Sequence, residues 1–440
     1  MTPDEIAAVQ PYPLPTCGTP LSRAQARMEA TGQWTPSQAM GRRWAIGCVA
    51  LEITQRCNLD CTLCYLSEQS EAVADTPLPE MFRRIDAIHA TYGGNTDVQV
   101  TGGDPTLRKR AELVAIVRRI REKGMRPSLF TNGIKATRSL LAELCEAGLV
   151  DVAFHVDTTQ QRKGYATEAD LNAVRAEYIG RARGLPLSVF FNTTVHPGNF
   201  HEIPEVVRFF VAHADVVRLA SFQLGADTGR GVERERGALI SQDSVGAQIV
   251  AGAGSPIAFD TPGVGHHGCN RYALTLVANG RVYDLFDDKA FMTRLLAATQ
   301  HLQFDRTSRR RALETLAGWV ARNPLHTLRS AGWATRKLWA MRRDLRASGG
   351  QAHKLSFFIH NFMGAAELER ERVEACVFMV ATAGGPVSMC LHNARRDEFI
   401  TQRVEVGGVE WDPLTGTAGP GARPVRRIPL KGRARQGAQA

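Results

Sequence analysis
The sequence predicts an α/β fold, a full or partial TIM-like (β/α) barrel followed by a C-terminal α+β domain. Three observations carry that expectation. Apolar runs of strand length recur six times between residues 48 and 222, helical stretches separate them, and polar clusters stand where the runs end. The first run is 48–54 (CVALEIT), and an amphipathic stretch at 78–92 follows it. Then come 97–101 (DVQVT), a helix at 111–124, 126–131 (RPSLFT), a helix at 137–147 and 152–156 (VAFHV). The last two runs are 187–194 (LSVFFNTT) and 216–222 (VVRLASF). A parallel barrel places its active site at the C-terminal ends of its strands. Cys57, Cys61 and Cys64 follow the first run, Gly102, Gly103, Asp104 and Pro105 the second, Asn132 the third and Asp157 the fourth.

A chain of 440 residues, 44% hydrophobic and 22% charged, has an ordinary globular composition, with room for one large domain and a smaller one. The expected organisation is an irregular N-terminal arm over 1–44, the barrel over 45–262, a C-terminal domain over 263–411 and a basic disordered tail over 412–440. No basic and apolar leader opens the chain and no run of eighteen apolar residues interrupts it, which together suggest a cytoplasmic protein. Nine cysteines in a reducing compartment read as metal ligands, reactive thiols or buried small groups rather than disulfides. A net charge of +10 points to an acidic partner: nucleic acid, anionic lipid or a phosphorylated substrate.

The stretch RCNLDCTLCY (56–65) holds three cysteines within eight positions and no fourth ligand nearby. Three thiolates can hold three corners of a [4Fe-4S] cube and leave the fourth iron open for a substrate or cofactor. A zinc site with a distant fourth ligand, or three buried thiols, are the alternatives. In TGGDPTLR (101–108) two glycines would let backbone approach a ligand and Asp104 would accept from an ammonium, although such a tetrad also reads as a plain turn.

Cys57-x3-Cys61-x2-Cys64 after a first strand, with Gly-Gly-Asp-Pro after the second, resembles the radical S-adenosylmethionine superfamily. The resemblance implies a [4Fe-4S] cluster on Cys57, Cys61 and Cys64 whose open iron takes the amino and carboxyl groups of S-adenosylmethionine. It also implies that the glycine-rich motif binds the methionyl amino group. One-electron reduction would then release a 5'-deoxyadenosyl radical that abstracts substrate hydrogen, with a donor such as flavodoxin or ferredoxin supplying the electron. Tyr65 matches the frequent aromatic after the last cysteine, whereas Asp104 stands where the family usually has Glu. Asn132, Asp157, Asn192, Thr194 and Gln223 are the further positions where cofactor contacts are expected.

"LFTNGI" and "IHNFMGAAELERERVEACVFMVATAGGPVSMCLHN" are similar to the branch containing archaeal tetraether lipid synthase and pterin-cofactor methylases, with His360, Asn361, Phe362 and Met363 a loose match to its His-x-Phe-Met segment. The chain departs from that branch by having only Cys17 before the barrel and a single cysteine at 376. Cys376 and Cys390 flank Gly384, Gly385 and Pro386, a hairpin signal that would bring both thiols together. With Cys269 and either Cys48 or Cys17 they would complete an auxiliary iron centre; His266 and His267 are alternative ligands.

Residues 306–348 hold eleven Lys plus Arg against two acids, interleaved with Trp319, Trp333, Trp339 and several leucines at helical spacing, and Pro324 divides them into two helices. Basic amphipathic helices with tryptophan suit a membrane interface, although an ordinary solvated face has the same look. The function expected is therefore a radical enzyme at the inner face of the membrane. It would abstract hydrogen from an unactivated carbon of a lipid-like substrate, leading to carbon–carbon bond formation or alkylation. A radical methylase or modifying enzyme acting on a pterin, peptide or other soluble substrate is the second expectation. The third is a non-catalytic iron–sulfur or zinc regulator that binds nucleic acid.

Overall fold
The computed structural model describes residues 1–232 and 235–418. The strands of its large sheet are β1 (Cys48–Thr54), β2 (Asp97–Gly102), β3 (Arg126–Thr131), β4 (Asp151–His155), β5 (Ser188–Val195), β6 (Val217–Leu224), β7 (Asn270–Ala278), β8 (Arg281–Asp284), β9 (His353–Asn361), β10 (Phe378–Thr382) and β11 (Gly385–Ser388). Their order is β11-β10-β1-β2-β3-β4-β5-β6-β9-β7-β8. The pairings from β10 through β1 and β6 to β9 are all parallel. Antiparallel partners close the two ends, β11 on β10 and the β7–β8 hairpin on β9. β11 and β8 do not pair with each other, so the sheet curls into an open α/β barrel.

The six expected strands form within two residues of their expected bounds, and the helices at Leu78–Tyr92, Arg110–Glu122 and Arg138–Glu146 do the same. The region expected as a separate C-terminal domain instead completes the barrel, adding one parallel strand at each end of the six. Val377, Met379, Leu355 and Phe357 share one core with Val49, Val98 and Phe191. The N-terminal arm contains two helices, Pro3–Ala8 and Pro20–Ala30. Each opens with a threonine N-cap followed by proline, the Thr2 and Thr19 side chains accepting from the Glu5 and Ser22 amides. These cap signals are local and weakly apolar, which is why hydrophobic periodicity overlooks them. Residues 412–418, expected to belong to a disordered tail, take part in a small antiparallel sheet of β12 (Val404–Val406), β13 (Val409–Asp412) and β14 (Thr417–Ala418). The remainder of that expected tail, 419–440, lies outside the described residues.

Alternation along the strands divides two environments. Val49, Leu51 and Ile53 on β1, Val98 and Val100 on β2, and Leu355, Phe357 and Ile359 on β9 point outward, where helical Met81, Ile85, Ile116, Val117, Val206 and Phe210 bury them. Each such side chain contributes roughly 1.5–3 kcal/mol of apolar burial. The alternate residues face inward, and several are small: Ala50, Ser128, Ala153, Ser188, Ser221 and Ser356. Closed barrels fill their interior with bulky branched side chains. These short ones leave a lumen of about 1060 Å³, walled along the whole length of the parallel strands.

Candidate functional site
At the C-terminal end of the strands the lumen is capped by the loop that leaves β1. Cys57, Cys61 and Cys64 all line the cavity. Three straps fix the loop's path. Thr62 donates its amide to the Thr159 carbonyl (2.8 Å), Gly231 to that of Cys64 (3.1 Å) and Val232 to that of Thr62 (2.7 Å). The buried Arg230 guanidinium ties the same loop to Glu71 (3.1 Å) and to the Leu59 carbonyl (3.3 Å). Burial, with the Asp104 and Cys64 charges behind it, pushes the Cys57 thiol up to about 11, and burial with Cys64 pushes Cys61 well above its ordinary value. Three thiolates crowded into one pocket repel one another unless a cation lies between them, so this donor set fits a positively charged metal group. Among the described residues no three His, Cys, Asp or Glu side chains converge closely enough to hold a single metal ion. A cluster asks for a wider arrangement, with each thiolate on its own iron.

Gly102 and Gly103 seat the end of β2 beneath that loop. A Cβ on either would stand 2.0 Å from a carbonyl oxygen, of Thr54 or Arg56 respectively, so only glycine permits the approach. The Gly103 and Asp104 amides donate to those same carbonyls at 2.9 and 2.8 Å. Tyr65 hydroxyl donates to the Gly102 carbonyl (2.6 Å), and the Arg396 guanidinium lies 4.7 Å from the Tyr65 ring centroid. Arg396 also pairs with Glu52 (2.8 Å), a cavity residue whose carboxyl burial would raise but Arg396 and His392 hold below the usual range.

Three of the expected cofactor contacts are buried away from the cavity. Asp104 is buried and does not line the cavity. Its carboxylate accepts from the Thr106 amide (3.0 Å), the Thr131 hydroxyl (2.8 Å) and the Asn132 amide (2.8 Å), stitching the end of β2 to that of β3. Pro105 is likewise buried, as the first residue of the turn that Asp104 caps. Asp157 is fully buried too, accepting from the Thr194 amide (2.7 Å), the Thr159 amide (3.1 Å) and the His155 ring (2.7 Å). Both acids are consumed by the backbone amides of chain leaving a strand, where an unsatisfied buried donor would be costly.

Asp157 thereby presents a residue that the sequence alone did not single out. His155, the last residue of β4, lines the cavity, and its Nε2 bridges Asp157 and the Thr194 hydroxyl (3.0 Å). Burial lowers the imidazole's affinity for a proton, but the Asp157 charge and hydrogen bond outweigh it, so its pKa stands above the usual histidine value. The available signal was the polar ending of AFHVDTT, where His155 precedes by two residues an acid that cannot reach the lumen itself. Asn192, Thr194, Gln223 and Asn132 do line the cavity, with Asn132 amide nitrogen 3.9 Å from Cys57 sulfur and 2.7 Å from Asn58 Oδ1.

A second group of thiols gathers where the chain passes from β9 to β10. Cys269, Cys376 and Cys390 line one small cavity of about 20 Å³ together with His266, Asn361 and Arg372. The hairpin of β10 and β11 returns the chain so that Cys390 comes back beside Cys376. Arg372 Nε donates to Cys269 sulfur (3.2 Å) and the Met363 amide to Cys390 sulfur (3.5 Å). Burial first, and then the neighbouring thiolates, push Cys390 up to about 12. Cys48, expected as a further ligand, opens β1 and faces the barrel lumen instead, while Cys17 is exposed on the N-terminal arm. Phe362 and Phe378 line both cavities and form the partition between them.

The basic stretch forms two helices, Arg309–Arg322 and Pro324–Ala347, of which only Trp319 and Met341 are buried. Lys337 donates to the Asp284 carbonyl (2.7 Å), Arg336 pairs with Asp288 (3.1 Å) and Trp333 stacks on Phe291 at 5.5 Å, which docks the second helix beside β8. Leu328 is 71% and Trp339 65% exposed. No helix among the described residues is long and apolar enough to cross a membrane.

Residues 51–210 match the family model described as the Radical SAM superfamily. Over 178 residues the chain is 28% identical to the PqqA peptide cyclase of Bradyrhizobium diazoefficiens, covering 40% of this chain and 46% of the relative. It is 27% identical over 190 residues to the 7,8-dihydro-6-hydroxymethylpterin dimethyltransferase of Methanocaldococcus jannaschii (42% and 37%), and 35% identical over 193 residues to the GTP 3',8-cyclase of Streptomyces coelicolor (42% and 55%). The chain thus spans about half the length of these curated relatives. The crystal structure of Streptococcus suis SuiB bound to its precursor peptide SuiA aligns at 14% identity over 49% of this chain and 46% of that one, with a TM-score of 0.35. The cysteine loop, the double glycine beneath it and strands β2 to β5 all lie inside the segment that matches the Radical SAM superfamily model.

Proposed function
We propose that this protein is a radical S-adenosylmethionine enzyme whose barrel lumen holds an amphiphilic, lipid-like substrate beside the cofactor. The observation that carries the chemistry is the convergence of Cys57, Cys61 and Cys64 on the C-terminal mouth of an open barrel. In this reading the three thiolates would hold the family's [4Fe-4S] cluster. When bound, that group supplies the electron that splits the sulfonium of S-adenosylmethionine, giving a 5'-deoxyadenosyl radical able to remove a hydrogen from an unactivated carbon. Around it the chain's own residues have separable tasks. The Gly102 and Gly103 backbone gives the methionyl amino group an approach that side chains would block. Asn192, Thr194 and Gln223 offer hydrogen bonds to polar parts of the cofactor, and His155, oriented by Asp157, can hold or move a proton at Nε2 or Nδ1.

The lipid reading is supported by the exposed leucines and Trp339 set among arginines on the two basic helices, a surface suited to peripheral contact with anionic headgroups. Carbon–carbon coupling or alkylation would follow hydrogen abstraction, and a flavodoxin- or ferredoxin-like donor would supply the electron. Cys269, Cys376 and Cys390 are proposed to hold an auxiliary iron centre, with His266, whose Nε2 is buried without a hydrogen bond, as the nearest side chain of a fourth ligand's chemistry. A soluble substrate is the second reading, favoured by the names of the relatives, which act on a peptide, a pterin or GTP. The test is anaerobic iron and sulfide quantification with a reductive assay for 5'-deoxyadenosine, run with and without lipid extract. Release of 5'-deoxyadenosine stimulated by the extract is expected. No release under any condition would refute the radical chemistry, and release stimulated only by aqueous metabolites would refute the lipid substrate.

A further inference from the structure
The lumen does not end at the middle of the barrel. Side chains from the first two residues of several strands line it at the far, N-terminal end: Asp97 of β2, Arg126 of β3, Asp151 of β4, Arg218 of β6 and Lys354 of β9. Between Ser188 and Thr194, both lining residues of β5, the wall runs for roughly 20 Å of strand. Arg306, from the segment that leads into the basic helices, joins this basal layer and packs its guanidinium 4.7 Å from the Trp44 ring centroid.

The charges there do not balance. Five cations among the lumen's lining residues, Arg43, Arg126, Arg218, Arg306 and Lys354, stand against two carboxylates, Asp97 and Asp151. Asp97 is taken by Arg126 (3.0 Å) and Arg306 (2.5 Å), and Asp151 sits 3.4 Å from Arg126. Arg218 gives its terminal nitrogens to the Ala214 and Asp215 carbonyls, which satisfies its donors without neutralising its charge. The Lys354 ammonium has no hydrogen-bond or ion-pair partner among the described residues; it opens on the cavity, where burial first and then Arg306, Arg126 and Arg218 disfavour its charge while Asp151 favours it. Like charges gathered on one wall, with Lys354 exposed to the lumen, repel one another and favour the entry of a counter-charge. A positive surplus of this kind suits an anionic group such as a phosphate monoester.

We propose that the basal end of the barrel lumen is a binding site for a phosphate-like group of the substrate, with Lys354 as its direct cationic contact and Arg218, Arg126 and Arg306 shaping the field around it. This assignment rests on the reading of the lumen as the substrate chamber and deepens it: the substrate would be anchored by an anionic end at the strands' N-termini and present carbon to the cysteine loop at their C-termini. The phosphate can belong to a lipid headgroup or to a soluble ester, and the two are separable by experiment.

Calorimetry with the full chain would compare 1-oleoyl-lysophosphatidate, mono-oleoylglycerol and guanosine triphosphate. Lysophosphatidate is expected to bind at least about tenfold more tightly than the uncharged glyceride, the effect of one charge-assisted contact. Lys354→Gln should erase that margin and Lys354→Arg should restore it. Tight binding of lysophosphatidate with weak binding of the nucleotide assigns the phosphate to a lipid; the reverse assigns it to a soluble ester. Equal affinity for lysophosphatidate, glyceride and nucleotide in the wild type, or a phosphate-dependent margin unchanged in Lys354→Gln, overturns the site. Suppression of wild-type lysophosphatidate binding by millimolar pyrophosphate is an independent expectation that does not depend on any variant folding, and its absence would also overturn the site. Reductive 5'-deoxyadenosine release, assayed without substrate, is measured on the wild type beside the binding series. Its absence from the wild type itself would instead indict the radical reading and leave the binding result standing.

Discussion
The two cysteine groups make an instructive pair. Cys57, Cys61 and Cys64 lie within eight residues on one loop and open on a lumen of about 1060 Å³. Cys269, Cys376 and Cys390 come from segments over a hundred residues apart and close on a cavity of about 20 Å³, with hydrogen-bond donors from Arg372 and Met363 already on two sulfurs. The first group has the space to admit a cofactor beside whatever it holds. The second is a walled chamber, separated from the lumen by Phe362 and Phe378, suited to holding a group that stays in place.

Replacing each group by alanine tests this contrast most severely. The Cys57/Cys61/Cys64 triple variant should lose 5'-deoxyadenosine formation entirely, whereas the Cys269/Cys376/Cys390 triple variant should keep it while losing part of the bound iron. Equal loss of activity in both would erase the distinction, and an unchanged iron content in the second would remove the auxiliary centre.

A smaller effect is expected on the lumen's C-terminal rim. Asp157→Asn would place a weaker acceptor before two backbone amides and the imidazole, costing about 2–3 kcal/mol, read as a lowered denaturant midpoint. The pH dependence separates this from simple packing damage. His155 has a raised pKa in the folded state, so its pairing with Asp157 stabilises fully below the unfolded value of about 6.5 and fades as pH rises through the folded one. Asp157, held low, contributes stability above its unfolded value of about 3.9, lost as pH falls further. His155→Gln should flatten the neutral part of this profile, and a wild-type profile level from pH 5 to 8 would contradict the pairing.

The smallest change in stability, and the one most specific to the substrate's class, belongs to the basic helices. Leu328→Glu with Trp339→Glu lies on exposed surface, so folding stability should move by no more than about 0.5 kcal/mol. Partition onto anionic vesicles should nevertheless fall severalfold. Unchanged partition would detach the helices from any membrane role.

Strand positions and the cysteine loop were legible because both are written in local terms: period-two apolar runs for β1 to β6, and ligand spacing within ten residues. The closing strands β9 and β10 were not, since a parallel neighbour comes from a partner more than a hundred residues away and carries no mark in its own sequence. His155 escaped for a related reason, its role depending on Asp157 being buried against the Thr194 amide. Asp104 was misassigned because a carboxylate after a double glycine looks free until Thr131 and Asn132 are folded against it.

The sequence by itself determined that a three-thiolate loop and a close-packed double glycine terminate adjacent strands, because spacing and the absence of a Cβ are properties of the chain. Only the tertiary structure decided which acids face the lumen, that six parallel strands become eight, and that cations outnumber carboxylates at the barrel's base. Those outcomes depend on which distant backbone amides and charges come within reach, and that is fixed only when the sheet curls.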